Sequence, residues 1–354
     1  MDSISQGTRK VLMMTCSFRN RPILQHIDRR TFVALFASIP IAWAYQGRAD
    51  SRSSGAGGPV DVVRTVVFAA APNGGNPCPV VLSTGLTDGE MQAVARHYGL
   101  DTVFLLPATV SNADIQLRYI VPEHEMGISG HATVAAVTVA IQTGAVHNSR
   151  IRVQTITGVF TVESRKSSTG ISVTLEQSPP SFARTAIADQ AAKALGIAPE
   201  DMALQIGPIQ SVSTSRPKLI VPLRSTDALK RVRPDFEALW KLCDQEAVTG
   251  LYPFAFPATN DRSRPSARQF PLRAGFPEDA ATGVAAAALA AYLTRYDLHF
   301  AAGVHEFQIA QGYEMGAPSE ITVITECTKR AITRVAIRGS AEIVSRETLD
   351  LNRL

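Results

Sequence analysis

Two short segments, about 150 residues apart, each set a glycine and a polar side chain at the start of an Ala/Val-rich helix. The first is Ser129-Gly130-His131-Ala132-Thr133, running into Val134-Ala135-Ala136-Val137. The second is Glu278-Asp279-Ala280-Ala281-Thr282-Gly283, running into an alanine-rich stretch that ends at Tyr292-Leu293. A helix start carries unpaired N–H groups and a partial positive charge, so it holds an anion readily. Glycine there lets a ligand approach the backbone closely. Gly130 and Gly283 are therefore expected to offer N–H groups to a substrate carboxylate and to stabilise charge that develops on it when an α-proton leaves. At a helix N-terminus the charged form of His131 is disfavoured, which suits a neutral donor/acceptor role; the plainer reading is a helix cap. Asp279 is expected both to cap the second helix and to orient a substrate amine or hydroxyl. Glu125 and Glu278 read as salt-bridging or solvated groups.

Both helices are apolar on nearly every face, the mark of helices buried all round. Something must wrap them, and the flanking residues supply it. Strands are expected at Val62–Ala70, Cys78–Leu82, Thr102–Leu106 and Ile115–Val121, with a turn over residues 72–77. Thr87-Asp88-Gly89-Glu90 has the spacing of a capping box, so a helix starts there and turns Met91, Val94 and Ala95 inward. Strands follow the first buried helix at Ile151–Ile156, Val159–Ser164 and Ile171–Glu176. A second half repeats the style, with a surface helix at Ile187–Leu195 and strands at Lys218–Leu223, Gly250–Phe254 and Ala267–Leu272. After the helix from Gly283 come strands at Glu306–Gln311, Glu320–Thr325, Ala331–Ile337 and Ala341–Val344. The fold class is α+β: two pseudo-symmetric halves, each a curved, mostly antiparallel sheet around one buried central helix. Repetition of a whole half points to duplication, not a solenoid. The halves are placed at 59–180 and 181–354.

The 354 residues suffice for two sizeable cores. The net charge of +4 belongs to the first 60 residues, which carry +5, while the rest carries −1. No basic face is legible in the body, so nucleic acid is not an expected partner. Residues 1–58 read as a leader: four arginines between Arg19 and Arg30, an apolar run from Phe32 to Tyr45, and Ala42-Trp43-Ala44 as a cleavage site. The run is too short, and too interrupted by Pro40, for a transmembrane span, though a helix is allowed over Phe32–Ala44. Asp28-Arg29-Arg30-Thr31-Phe32-Val33 resembles a twin-arginine export signal. An organelle presequence or an upstream start codon is the plainer reading. Residues 51–58 then form a Ser/Gly-rich linker. Apart from Cys16, the cysteines are Cys78, Cys243 and Cys327, an odd number without paired spacing, so neither a disulfide framework nor a metal knuckle is indicated.

Several of these segments together resemble the phenazine-biosynthesis (PhzF-like) isomerase family. They are Gly75-Asn76-Pro77-Cys78-Pro79-Val80, Glu125 followed by Gly130-His131-Ala132-Thr133, Arg268 through Glu278-Asp279-Ala280-Ala281-Thr282-Gly283, and Gln311-Gly312 with Met315-Gly316-Ala317-Pro318-Ser319. The resemblance runs from about Val62 to Ile343, in order. It implies a diaminopimelate-epimerase-like fold with the site in the cleft between the halves. It also implies a cofactor-independent isomerase or epimerase that moves a proton on a small carboxylic or amino acid, without metal. Asp101 lies in the segment Leu100–Leu106, where the family carries its acid/base glutamate, so the resemblance assigns it catalysis with a stem one methylene shorter; alone it would read as a turn or cap. Asp101, His131 and Asp279 are the catalytic candidates, and Gly130, Gly283, Asn76 and Thr282 the substrate-binding ones.

The chain departs from the pattern at Val284 (serine in the family), at Ala132 and Ala280 (prolines) and at Ala317 (arginine). Racemases of this fold use two cysteines; Ser129 stands where the first would be, and Ala280 or Ala281 where the second would be, so a one-carboxylate isomerase fits better. A small-molecule-binding protein that lost the chemistry, and a lyase that eliminates after α-proton removal, are the alternatives. The expected partners are a carboxylate substrate and a second copy of the chain, with no membrane for the body. The resemblance implies the cytoplasm, whereas a working leader implies the periplasm.

Overall fold

The periodicities materialise as 17 strands and six α-helices in a computed structural model that describes residues 58–354, apart from 169 and 260. The described residues belong to one compact unit. The leader, its twin-arginine motif and the helix over Phe32–Ala44 lie outside the described residues.

In chain order the first elements are β1 (Pro59–Val67), β2 (Asn76–Val81), α1 (Asp88–Tyr98), β3 (Thr102–Leu106), β4 (Ile115–Ile120), β5 (Glu125–Met126), α2 (Gly130–Gln142), β6 (Arg150–Thr155), β7 (Gly158–Ser167) and β8 (Gly170–Glu176). There follow β9 (Ser181–Thr185), α3 (Ala188–Leu195), β10 (Gln210–Ser213), β11 (Lys218–Pro222), α4 (Thr226–Arg231), α5 (Phe236–Glu246), β12 (Gly250–Ala255), β13 (Ser266–Ala267) and β14 (Phe270–Pro271). The chain closes with α6 (Gly283–Tyr296), β15 (Gly303–Gln311), β16 (Ser319–Cys327) and β17 (Ile332–Asp350).

The strand pairings carry the internal repeat. In the first half β1 runs antiparallel to β2, β2 parallel to β3, β3 antiparallel to β4, β4 parallel to β6, and β6, β7 and β8 form an antiparallel meander. In the second half β10 runs antiparallel to β11, β11 parallel to β12, β12 antiparallel to β13, β13 parallel to β15, and β15, β16 and β17 form the same meander. A parallel pair needs a crossover. The crossover between β4 and β6 is α2, and that between β13 and β15 is α6, so the two helices occupy equivalent places. Each lies inside its own curl of strands. Residues Gly130–Ile141 and Gly283–Thr294 are buried without a break, which is why neither helix has a polar face.

Four expectations are corrected. Ala267–Leu272 is not one strand: β13 and β14 are separated by Arg268, which pairs with Glu278, and by Gln269, whose backbone bridges to Asp279. Ala331–Ile337 and Ala341–Val344 are one strand, β17, because it pairs first with β16 and β8 and then, beyond Gly339, with β1. Gly339 permits this, since a Cβ there would lie 2.0 Å from the Phe68 ring. The second half also carries α4 and α5, and short strands β5, β9 and β10 were not anticipated; α5 buries Leu239, Leu242 and Cys243, a helical spacing capped by Asp235. Asp279 does not cap α6: the N-cap is Thr282, and neither Thr282 nor Ser129 gives its helix a side-chain cap. Among the described residues no helix is long and apolar enough to cross a membrane. Cys78, Cys243 and Cys327 are buried free thiols.

Candidate active site

The two uncapped helix starts meet. A Cβ built on Gly130 would stand 3.3 Å from the Gly283 Cα, and one built on Gly283 would stand 3.2 Å from Ile337. Glycine at both positions is what lets α2 and α6 converge this closely. Among the described residues the N–H groups of Gly130, His131, Gly283 and Val284 have no partner. Two helix dipoles therefore point their positive ends at one small volume, which favours an anion there.

Asp101 reaches this place through the end of α1. The Thr87–Glu90 capping box opens that helix, and Gly99 closes it in the left-handed conformation at φ 63°. The chain then enters β3, and Asp101 at its mouth is 6% exposed. Its Oδ2 accepts a 2.7 Å hydrogen bond from Ser129 Oγ and lies 3.4 Å from His131 Nε2. Ser129 Oγ, having given its proton to Asp101, can accept from His131 Nδ1 at 3.4 Å. A proton on Nδ1 would make that bond and leave Nε2 as the ring nitrogen nearest the carboxyl. Asp101 Oδ1 and His131 Nε2 are buried with no hydrogen-bond partner. Leaving such atoms unpaired costs about 1–3 kcal/mol each, a cost that a ligand can relieve. Burial pushes the Asp101 carboxyl above its ordinary value, against the lowering by His131 and the Ser129 bond.

Asp279 is held differently. Asn76 Nδ2 donates to its Oδ1 at 2.6 Å and also to Ala281 O at 2.8 Å, so both amide protons of Asn76 are used. Thr282 Oγ1 donates to Asp279 Oδ2. Gln311 Nε2 donates to the Asp279 carbonyl at 2.7 Å, and Gln311 Oε1 accepts from Thr282 N and from Tyr252 Oη. This network crosses from β2 in the first half to α6 and β15 in the second. The side chains of Asn76 and Thr282 thus position Asp279 and have no proton left to donate to a substrate. Glu278 pairs with Arg268 through two bonds of 2.8 and 2.7 Å, and Glu125 pairs with Arg118.

Asp101, His131, Asp279, Gly130, Gly283 and Thr282 all line one cleft; Asn76 stands behind it. The enclosed space is about 50 Å³, room for a few waters but far below an ordinary metabolite pocket. Residues of the second half that sequence reasoning passed over complete the lining, chiefly Arg216, Lys218 and Gln269. Lys218 left a signal, a lone charge heading the apolar run Leu219-Ile220-Val221. Gln269 left none. Among the described residues no three His, Cys, Asp or Glu side chains gather to hold a metal ion.

The chain matches the model of the phenazine biosynthesis-like protein family over residues 65–347. It is 33% identical over 267 residues to the uncharacterized isomerase YfhB of Bacillus subtilis, covering 74% of this chain and 89% of that protein. It is 30% identical over 288 residues to the trans-2,3-dihydro-3-hydroxyanthranilate isomerase of Pseudomonas fluorescens, covering 80% and 97%. The crystal structure of a PhzF-family phenazine biosynthesis protein from Bacillus anthracis superposes with a TM-score of 0.75 at 25% identity, covering 82% of this chain and 99% of that one. The fold is the α+β architecture of that PhzF-family structure. The chain belongs to the phenazine biosynthesis-like family, which places it among isomerases.

Proposed function

We propose that this protein is an isomerase that moves a proton on a small carboxylic or amino acid, with Asp101 as the acid/base group. One observation carries the reading: a buried carboxylate, fixed at one oxygen and unpaired at the other, faces the point where two helix starts present free N–H groups. An α-proton is removed only if the charge left behind is stabilised. The N–H groups of Gly130, His131, Gly283 and Val284 would bind the substrate carboxylate and take up that charge, in a site with little water. Asp101 Oδ1 would accept the proton, and its raised affinity for protons suits that role. His131 Nε2 can relay the proton to a second position of the substrate, which an isomerisation requires. Asp279, with both oxygens already accepting bonds, is held in place and would orient a substrate ammonium or hydroxyl. Proton transfer of this kind uses side chains and backbone of this chain alone.

Relatives support the isomerase class, and the Pseudomonas fluorescens relative acts on a cyclic acid, trans-2,3-dihydro-3-hydroxyanthranilate. The test is deuterium uptake from heavy water into a panel of small amino and hydroxy acids. Asp101→Asn should lower exchange by about 10²–10⁴-fold while leaving ligand affinity intact, because it removes basicity and little volume. Exchange that survives Asp101→Asn overturns the assignment.

A further inference from the structure

The second half of the cleft carries positive charge that nothing in the proton-transfer reading uses. Lys218, the first residue of β11, is 3% exposed, and its Nζ makes one long contact of 3.4 Å, to Thr249 O. Arg216, two residues earlier, donates Nη1 to the sulfur of Met126. Neither has a carboxylate within ion-pair distance among the described residues, although Arg118, Arg152, Arg268 and Arg334 are all paired. Beside them Gln269 is fully buried with both amide atoms unpartnered. Gly250 has no side chain there to obstruct it: a Cβ would lie 2.3 Å from Gln269 Nε2. All three line the cleft.

Burying an ammonium without a counter-ion costs several kcal/mol, so an unpaired buried lysine needs a reason. Neutralising Asp101 and Asp279 is not a sufficient one. Both oxygens of Asp279 are already held by Asn76 and Thr282, and Asp101 bonds to Ser129. A planar guanidinium, an ammonium and a free amide are together the donors that a carboxylate accepts. The helix starts form one anion site; these side chains form another.

We propose that Arg216, Lys218 and Gln269 form a second acid-binding subsite, and that the substrate is a small dicarboxylic 2-amino or 2-hydroxy acid. Its reacting carboxylate would sit on the starts of α2 and α6, and its distal carboxylate on this trio. The inference rests on the proton-transfer reading for the first of those positions. Burial and Arg216 pull the Lys218 ammonium down to about 7, and a bound carboxylate would restore its charge.

The experiment compares matched acids by titration calorimetry on the full chain at neutral pH: glutamate against 2-aminobutyrate, and malate against lactate, both enantiomers of each. The diacid of at least one pair should bind about tenfold or more tightly than its monoacid. Lys218→Met and Arg216→Gln should each remove that preference and leave monoacid binding unchanged. Arg216 is half-buried, so its variant tests the subsite independently of any change in stability that Lys218→Met brings. Equal binding of diacid and monoacid in every pair, binding of neither, or a preference that survives both substitutions overturns the proposal. A diacid preference without any Asp101-dependent exchange would overturn the proton-transfer reading alone; exchange without the preference would overturn the subsite alone.

Discussion

Lys218 allows a quantitative test of how this cleft is built. In the unfolded chain its ammonium has the ordinary value of 10.5, whereas burial in the fold brings it to about 7. That difference corresponds to about 3–5 kcal/mol. The sign follows from where the proton sits. Below about pH 7 both states hold it, and the fold bears the whole cost of a buried charge. As pH rises from 7 toward 10.5, the folded state has released the proton and the unfolded state has not, so stability increases, by up to about 1.4 kcal/mol per pH unit. Lys218→Met keeps length and volume but cannot carry charge. Urea denaturation of both proteins at about pH 6.5 and about pH 9.5 isolates the effect, because titrating groups that are not coupled to Lys218 cancel in the difference. Methionine should be stabilising by about 3–5 kcal/mol at the lower pH, with the gain shrinking by most of that amount at the higher. A difference between the two proteins that is the same at both pH values would refute the claim that Lys218 is buried as an unpaired cation.

The pH dependence of Asp101 runs the other way. Its carboxyl is raised in the fold, so between the ordinary 3.8 and the raised value the folded state holds the proton more tightly, and stability falls as pH climbs through that window. kcat/KM for exchange should rise over the same window as the base form appears, and Asp101→Asn should flatten the stability slope; a wild-type rate profile flat from the ordinary carboxylate range upward contradicts this. Arg268→Met leaves the part-buried Glu278 without its partner and strips donors from Leu229 O and Val232 O, so a loss of about 2–4 kcal/mol is expected in urea denaturation. Adding Glu278→Gln should recover part of that loss, and strict additivity would show the pair to be inert. Gly339→Ala drives a methyl into the Phe68 ring and should cost about 1–3 kcal/mol, less in a Phe68→Leu background.

The helices around Gly130 and Gly283 were legible because the information is local. An unbroken run of Ala and Val with no polar face can only be a helix enclosed by other elements, and glycine with a polar neighbour marks its start. Most strands were legible for the same reason, through alternation and β-branching, and Thr87–Glu90 announced α1 by spacing alone. The order of the motifs was enough to indicate the family. What the tertiary structure alone decided is which side chains keep their donors free. Asn76 and Thr282 sit in the matched motifs, yet their hydrogen-bonding groups are turned on Asp279 from opposite halves, a contact between residues 203 positions apart. Gln269 looks like part of a strand until the break between β13 and β14 buries it unpaired. Lys218 looks like the polar end of a strand until β11 is enclosed and its ammonium is left facing the cleft. Local sequence records the preference of each segment for helix or strand, because that preference comes from nearby residues. Whether a polar atom ends up paired or vacant depends on atoms brought together only when two halves close on each other.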